Sequence, residues 1–470
     1  MTHDLSPFYR PRSVAVVGAG DRPTSSGGAV LHLLEQSGFV GEIVPVNPKG
    51  GTIRNLLVRT SLRELAKPVD LCVIVIRPDL ILDAVRDAIA TGHKNLLILP
   101  GGFAEGAEEG KKRDAELRAL AADSGIVIAG PNCAGIIHLT GKGQPTGMAA
   151  TFLRGLPPGP DLQGRSIAMV SQSGALAEEI VAKSNEIGIP VGTVVSVGNA
   201  MQIGVADHLR HLADDDGIGA ILLYIESPGD QEAFRKAARA AAAKKPVVAL
   251  IGGRTAVGGA AALAHTGSAA LDDKAAAAFA RDCCMVRVTS LSRMLLAARG
   301  FARFPLGIGG RALILSNSGG PGVLCADQCL IDGMAMPPLP AAMAKRLRDA
   351  LPQEATVSNP IDLLADARED RFGLAFESAM AEGAGTYDAV LMIHVVPFMV
   401  DPVPVVARLA DLARTAKVPV MHAMMGTLPG KDQLFATMTQ AGVPIFNDIE
   451  AMAETAGILA AYPPLRAAAR

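Results

Sequence analysis

The chain has 470 residues, which is enough for about three domains of ~100 to 200 residues each and excludes a single small binding module. Hydrophobic residues make up 49% of the sequence and charged residues 19%, with a net charge of -2. This balance indicates a compact folded protein and offers no electrostatic basis for binding nucleic acid. The uncharged stretch 187–206 contains a proline and four glycines, so we expect no membrane helix there.

The N-terminus shows no basic region followed by an apolar run, and we therefore expect a cytoplasmic protein. The six cysteines form no Cys-x-x-Cys pair and no zinc-ligand spacing, so we expect reduced packing residues and no metal site. Aromatic residues total 4% and glycines number 50. Backbone amides in glycine loops are therefore better candidates for ligand capture than aromatic stacking.

Short β-branched runs alternate with alanine-rich segments along the whole chain, which predicts an α/β protein with parallel sheets covered by helices. In residues 1–140 we predict a Rossmann-like sheet. Its five strands are expected at 13–18, 42–47, 71–76, 95–100 and 125–130. Residues 140–165 are rich in glycine and proline and are expected to form a linker without regular structure.

Two further domains are predicted, at 162–300 and 305–465. Their strands are expected at 166–172, 191–198, 220–227, 246–253 and 284–288, and then at 311–318, 389–396, 418–425 and 443–447. Both domains open with a strand followed by Ser-[Gln/Asn]-Ser-Gly, at 171–174 and again 145 residues later at 316–319. This repeat predicts two related flavodoxin-like units.

The first strand ends in a glycine turn at Gly18, where backbone N–H groups can face a pyrophosphate. Pro23 occupies the expected third glycine position of an NAD fingerprint, and the second strand ends near Lys49 instead of in an acid. A lysine favours a phosphate, so the turn fits coenzyme A, which carries a pyrophosphate and a ribose 3'-phosphate, better than NAD. The alternative is a turn that serves only helix–sheet packing.

Two polar turns follow later strands at the carboxyl edges where open α/β sheets bind ligands. Asn132 follows the fifth strand and can donate to and accept from an amide, although a purely structural turn is the alternative that the local pattern favours. Ser171, Ser173 and Gly174 lie between a strand and a helix and could cradle an anion at the positive helix end. Ser173 could equally act only as the helix cap.

The most specific pattern runs from a strand through a glycine-rich stretch to a histidine. Residues 252–259 contain four glycines, and His265 follows in His-Thr-Gly-Ser before an alanine-rich helix. A flexible loop that presents an imidazole beside hydroxyls and helix N-termini suits transfer of a phosphoryl group. Glu226 ends a neighbouring strand and could orient His265. A surface or core histidine without such a role is the alternative.

Taken together, the motifs resemble the NDP-forming acyl-CoA synthetases, specifically the α subunit or α-like half of ADP-forming acetyl-CoA synthetase, related to the succinyl-CoA synthetase α subunit. The resemblance covers nearly the whole chain, and the order of the motifs is more specific than any one of them. They are FYRPRSVAVVGA at 8–19, PVNPK at 45–49, GPNCAG at 130–135, SQSGAL at 171–176, GRT at 253–255, HTGS at 265–268, SGGPG at 318–322 and NPID at 359–362.

The resemblance implies that acyl-CoA, phosphate and ADP give acid, CoA and ATP through an acyl phosphate and a phosphohistidine. It implies His265 as the nucleophile, held by Glu226, and a phosphate cradle at Ser171, Ser173 and Gly174. CoA contacts are implied at Gly18, Lys49 and Asn132. The implied partners are a small carboxylic acid or its CoA ester and an ATP-grasp β-type subunit that binds ADP or ATP with magnesium, in an oligomer.

The chain departs from the family at two places. Residues 200–204 replace an acidic Ala-Asp-x-Asp-like stretch, and Ile251 replaces a lysine common before Gly-Arg-Thr. Two other hypotheses therefore stay open. One is a CoA-binding or regulatory protein without turnover, which only a phosphorylation assay separates from the enzyme. The other is a nicotinamide-dependent oxidoreductase, which the sequence around Lys49 contradicts.

Overall fold

The structure is a computed structural model that describes residues 3–142, 146–161, 163–266, 270–426, 428 and 430–470, with the backbone alone for 264–266. By its internal contacts the chain divides into two compact units. One runs up to Ala298 and includes Ala468–Arg470, and the other is Arg299–Ala467. Three main sheets with parallel cores confirm the predicted α/β class. In the described part of the chain, every helix is too short or too polar to cross a bilayer.

The first sheet has five parallel strands in the order β2-β1-β5-β6-β7. The strands are β1 Ser13–Val17, β2 Glu42–Val46, β5 Leu71–Ile74, β6 Asn95–Ile98 and β7 Val127–Ala129, and a small hairpin is formed by β3 Thr52–Ile53 and β4 Leu56–Leu57. The helices are α1 Ser6–Tyr9, α2 Ser26–Gln36, α3 Ile81–Ala90 and α4 Glu108–Ser124. The strands are short apolar runs buried on both faces, as expected for a sheet covered by helices.

The second sheet has seven strands in the order β14-β13-β12-β10-β11-β8-β9. The strands are β8 Gly135–Thr140, β9 Thr146–Thr151, β10 Ser166–Ser171, β11 Val191–Ser196, β12 Ile218–Ile225, β13 Val247–Ile251 and β14 Val286–Val288. The helices are α5 Gly174–Ile187, α6 Val205–Ala213, α7 Gln231–Ala242, α8 Ala256–Thr266, α9 Asp273–Asp282 and α10 Leu291–Arg303. Strands β10 to β14 pair in parallel, whereas β8 and β9 form an antiparallel hairpin at one edge.

The third sheet lies in the second unit and has five parallel strands in the order β16-β15-β17-β18-β19. The strands are β15 Ala312–Ser316, β16 Ile361–Asp362, β17 Ala389–Val395, β18 Val420–Met425 and β19 Ile445–Phe446. The helices are α11 Gly319–Ile331, α12 Ala341–Ala350, α13 Glu369–Ala381, α14 Pro402–Thr415, α15 Lys431–Gln440, α16 Ile449–Ala460 and α17 Tyr462–Ala469. Its apolar core is formed largely by these strands and by α12 to α15.

Two local predictions were wrong. The stretch 140–165, expected to be a linker, contains strand β9, because the short run 146–151 pairs with β8 in full register. The glycine-rich stretch before His265, expected to be a flexible loop, is helical from Ala256 to Thr266. Five alanines in this helix supply the helix propensity that Gly258 and Gly259 lack.

Candidate functional site

A cavity of about 1480 Å³ lies in the first unit, where the carboxyl ends of strands from the first and second sheets open toward each other. Its lining includes Ser26, residues 75–77, 99–101, 104–105, 132–134 and 152–153 from the first half of the unit. From the second half it includes residues 172–175, Glu178, 198–200, 204–207, Arg210 and 227–230. Ligands of open α/β sheets bind at this edge, so the cavity is the candidate site.

The glycine turn after β1 is required by close packing. Gly18 has φ +93°, and a Cβ at this position would lie 2.3 Å from the carbonyl oxygen of Val75. The turn leads to α2, whose cap Ser25 accepts a hydrogen bond from the Gly28 N–H at 3.3 Å. Gly18 itself does not line the cavity, whereas Ser26 at the start of α2 does. The packing role and a ligand role of this turn are therefore compatible.

Lys49 is exposed on the turn after β2, outside the lining of the cavity. Its backbone N–H donates to Oδ1 of Asn47 at 3.0 Å. The side-chain amide of Asn47 in turn donates to the Ala19 carbonyl at 2.8 Å. The lysine turn is thus tied to the glycine turn, and the ammonium group remains available at the surface beside it.

Asn132 lines the cavity in a left-handed backbone conformation, with φ +58°. Its Nδ2 donates to Oδ1 of Asn199 at 3.2 Å, and Nδ2 of Asn199 donates to the carboxylate of Glu105. Glu105 also accepts the backbone N–H of Gly102 at 2.5 Å. Burial raises the pKa of Glu105, but the hydrogen bonds from Asn199 and from the backbone outweigh it and lower the pKa overall. Sequence reasoning missed Glu105 and Asn199.

The hydroxyls of the Ser-Gln-Ser-Gly turn are engaged locally. Ser171 Oγ donates to the Ser173 carbonyl at 2.7 Å and accepts the Ser173 N–H at 3.0 Å. Ser173 Oγ accepts the Leu176 N–H at 3.4 Å and so caps α5. Ser173 and Gly174 line the cavity, and Ser171 is buried beneath them. The backbone N–H groups at the start of α5 are therefore the hydrogen-bond donors available to a ligand in the cavity.

Glu226 follows β12 and is 7% exposed. Its Oε1 accepts a hydrogen bond from the Tyr224 hydroxyl at 3.1 Å, and its backbone N–H donates to Oε1 of Gln172 at 2.5 Å. Burial and the neighbouring carboxylate raise the pKa of Tyr224 to about 12, which keeps the hydroxyl a donor. Gln172 also bonds both backbone groups of Ser227, so it ties the Ser-Gln-Ser turn to the strand that carries Glu226. No local sequence pattern indicates this role of Gln172.

The backbone places His265 near the end of α8, and its side chain lies outside the described residues. The helix follows β13, whose Ile251 pairs with Ile225 next to Glu226. Gly253 has φ +77°, and a Cβ there would lie 2.3 Å from Cβ of Ala270. Ala270, five residues after His265, thus lies against Gly253, which follows β13.

Cys133 lies at the cavity but is a poor nucleophile. Burial raises the pKa of its thiol to about 12, and its Sγ donates to the Ile98 carbonyl at 3.4 Å. It is 4% exposed. The structure therefore supports a packing role for this cysteine.

Two family profiles match the first unit. One is described as a CoA binding domain and matches residues 12–139. The other is described as a succinyl-CoA ligase-like flavodoxin domain and matches residues 163–301. The gap between the two matches, residues 140–162, contains strand β9.

Curated relatives extend the similarity beyond the first unit. The α subunit of ADP-forming acetate–CoA ligase II of Pyrococcus furiosus is 32% identical over 369 residues, or 78% of each chain. The α subunit of ligase I from the same organism is 30% identical over 457 residues, or 95% of each chain. The ADP-forming 4-hydroxybutyrate–CoA ligase of Nitrosopumilus maritimus is 32% identical, and the match covers 78% of this chain and 51% of that longer protein.

Solved structures agree with these relatives. A chain of the dinucleotide-forming acetyl-coenzyme A synthetase 1 of Ca. Korarchaeum cryptofilum, in complex with phosphate and ADP, superposes with a TM-score of 0.88 at 25% identity. The match covers 99% of this chain and 98% of that one. The fold of the whole described chain is therefore shared with that protein.

Proposed function

The chain belongs to the family of ADP-forming acyl-CoA ligases, the NDP-forming acyl-CoA synthetases, and we propose that it performs the CoA and phosphate half of their reaction. Phosphate attacks the carbonyl of an acyl-CoA, the thioester bond breaks, and acyl phosphate and CoA form. A histidine then takes the phosphoryl group and releases the acid. Transfer from phosphohistidine to ADP gives ATP and restores the histidine.

The shared cavity is the observation that carries this proposal. It extends from Ser26, at the start of α2, to Ser173 and Gly174, at the start of α5, with Asn132 between them. Two helix N-termini, each suited to phosphate, therefore face one cavity. The thioester of an acyl-CoA bound at the edge of the first sheet could therefore reach a phosphate held at the edge of the second sheet without leaving the cavity.

The proposed roles follow from these positions. Gly18 and Lys49 hold the nucleotide part of CoA at the linked turns, and Asn132 contacts its pantetheine amides. Ser171 and Ser173 shape the turn that aims the amides of Gly174 and the rest of the first helical turn at the phosphoryl oxygens. His265 is the nucleophile, and the buried carboxylate of Glu226 orients it.

We propose that ATP is made with a second polypeptide of the ATP-grasp class that binds ADP or ATP and magnesium, in an oligomer. Two relatives are named as α subunits, and the match to the 4-hydroxybutyrate–CoA ligase covers 51% of that protein. The sequence also lacks a Gly-x-x-x-x-Gly-Lys-[Ser/Thr] loop. The division into a CoA-binding domain at 1–140 and flavodoxin-like domains at 162–300 and 305–465 is part of this proposal, as is a cytoplasmic location.

The test is incubation of the purified chain with labelled phosphate and a panel of acyl-CoAs. We expect acid-labile, base-stable label on the peptide that contains His265, and label on another residue would refute the assignment. Binding of CoA should exceed binding of NADH by calorimetry, and Lys49→Glu should weaken it. CoA binding without label, with and without the partner and ATP, would favour a CoA-binding or regulatory protein.

A further inference from the structure

A phenylalanine stands at the phosphate end of the cavity in a chain that has few aromatic residues. Phe152 directly follows β9, lines the cavity and is 40% exposed. Aromatic residues make up 4% of the sequence, and an exposed ring costs free energy unless something covers it. Because it lies in the lining of the cavity, Phe152 offers an apolar surface against which a ligand group could pack.

The β8–β9 hairpin holds Phe152 beside the start of α5. The Phe152 N–H donates to the Ala134 carbonyl at 3.4 Å, and Thr151 Oγ1 donates to the same carbonyl at 2.5 Å. A Cβ on Gly174 would lie 3.3 Å from Cβ of Ala134. Ala134 thus contacts both the phenylalanine strand and the helix start that we assign to phosphate.

A carboxylate lies on the same wall. Glu178 is one helical turn beyond Gly174 and lines the cavity. Both of its carboxylate oxygens accept the backbone N–H of Arg154, each at 3.1 Å. Arg154 is two residues beyond Phe152, so this contact fixes the end of the hairpin to α5. Glu178 is consequently tied to the segment that carries Phe152, and both residues line the cavity.

No free cation balances that charge in the part of the cavity that the structure describes. Of the two arginines among the described lining residues, Arg77 is paired with Asp79 at 2.6 Å and Arg210 with Asp207. Arg154, whose backbone holds Glu178, is exposed and is not among the described lining residues. A second carboxylate on the substrate would therefore meet Glu178 without an unpaired cation among those lining residues.

The position of the acyl group follows from the proposed function, on which this inference rests. The thioester carbonyl must lie where CoA and phosphate meet, between Asn132 and Gly174, and the rest of the acyl chain then extends over Ala134 toward the ring. We propose that Phe152 limits the size of the acyl group and that Glu178 excludes acids with a second carboxylate. Both residues determine specificity, and neither takes part in bond breaking.

The size role is tested with Phe152→Ala and Phe152→Leu, in acyl-CoA-dependent labelling with phosphate and in calorimetric binding of the same acyl-CoAs. We expect Phe152→Ala to raise the rate with phenylacetyl-CoA relative to acetyl-CoA about 10-fold or more, with a smaller rise for Phe152→Leu. Free CoA should bind as it does to the wild type. Phe398→Ala, which removes an exposed ring in the second unit, is the matched control and should leave the ratio unchanged.

The charge role is tested with succinyl-CoA and butyryl-CoA, which have acyl chains of equal carbon number. Glu178→Gln keeps an oxygen that can accept the backbone N–H of Arg154. We expect this variant to raise the labelling rate with succinyl-CoA relative to that with butyryl-CoA about 5-fold or more. Glu179→Gln on the same helix, outside the lining of the cavity, is the control.

The outcomes separate the two proposals. Unchanged ratios in both labelling and binding would overturn the specificity role while leaving the proposed function intact. Acyl-CoAs that bind with the expected change of ratio but give no label would refute the proposed chemistry and keep the specificity role. Wild-type protein that binds no acyl-CoA would refute both.

Discussion

The region built from β10 to β14 and the region built from β15 to β19 have the same strand order and nearly the same first turn. Ser316 Oγ donates to the Ser318 carbonyl at 2.7 Å and accepts its N–H at 3.0 Å, the distances found between Ser171 and Ser173. Oδ1 of Asn317 accepts the backbone N–H of Val395, as Oε1 of Gln172 accepts that of Glu226. The repeat predicted from the sequence is therefore also a repeat of hydrogen bonds.

The two regions differ in the side chains at the ends of their neighbouring strands. Ser171 pairs with Tyr224, and Ser316 pairs with Ile393, so Glu226 corresponds in register to Val395. The backbone after the next strand is again alike, because Gly253 and Gly426 correspond and both have positive φ, +77° and +108°. The comparison teaches that the fold supplies the turn twice but places the nearby carboxylate differently. In one copy it is Glu226, which follows β12, and in the other it is Asp362 at the end of β16, whose Oδ2 would lie 3.1 Å from a Cβ on Gly319.

The largest effect is expected from His265→Ala. Removal of a nucleophile typically lowers the rate by about 10³-fold or more, so we expect the variant to show no detectable label. The third-sheet region contains His394 and His422 within its strands, both 0% exposed, and we expect no label on either. Peptide mapping of the labelled chain checks this. Label on His394 or His422 would break the comparison.

Glu226→Gln should slow labelling by about 100-fold, because the amide cannot hold an imidazole in the tautomer that a carboxylate selects. Val395→Ala, the corresponding change in the third-sheet region, should leave labelling unchanged. Single-turnover labelling together with CoA binding measures both. Equal slowing by the two changes would show that the carboxylate has no special role.

The buried histidines of the third-sheet region should make stability sensitive to acid. Burial lowers the pKa of His394 to about 4, and burial together with the charge of His394 lowers that of His422 to about 3. In the unfolded chain these histidines have a pKa near 6.5, so the unfolded state binds protons before the folded state does. The free energy of unfolding that is present above pH 6.5 is therefore lost as the pH falls toward 4, by up to about 1.4 kcal/mol per pH unit for each imidazole.

By comparison, His138 and His208 of the first unit have hydrogen-bond partners in Thr193 and Tyr9, whereas the ring nitrogens of His394 and His422 have none among the residues that the structure describes. The His394→Leu/His422→Leu variant should therefore unfold with a weaker dependence on pH between 6.5 and 4. Urea unfolding at several pH values measures the slope. A slope equal to that of the wild type would contradict the prediction.

The smallest effects are expected from Gln172→Ala and Asn317→Ala, each of which removes an amide that bridges two strands. Each should lower the free energy of unfolding by about 1 to 3 kcal/mol, because backbone groups lose their partners. Only Gln172→Ala should also slow labelling, since its amide holds the backbone at Glu226. Urea unfolding and labelling of both variants test this. Slowing by Asn317→Ala alone would reverse the proposed assignment of the two regions.

The sequence by itself determined the α/β class, the strands at the centre of each sheet and the local turns. Val14 to Val17 and the repeated Ser-[Gln/Asn]-Ser-Gly are local patterns, in which neighbouring residues decide whether a strand or a capped turn forms. The same local logic brought out Asn132, Glu226 and His265, because chemistry-bearing residues that follow strands of a parallel sheet share one edge.

Only the tertiary structure decided which of these edges share a cavity and which residues complete its walls. Strand β9 is short and lies in a stretch rich in glycine and proline, so its pairing with β8, and with it the position of Phe152, could not be seen locally. The contact between Asn132 and Asn199 joins residues 67 positions apart, and that between Asn199 and Glu105 joins residues 94 positions apart. Such contacts depend on sheet order and strand register, which arise from the packing of the whole unit and leave no periodic trace in the chain.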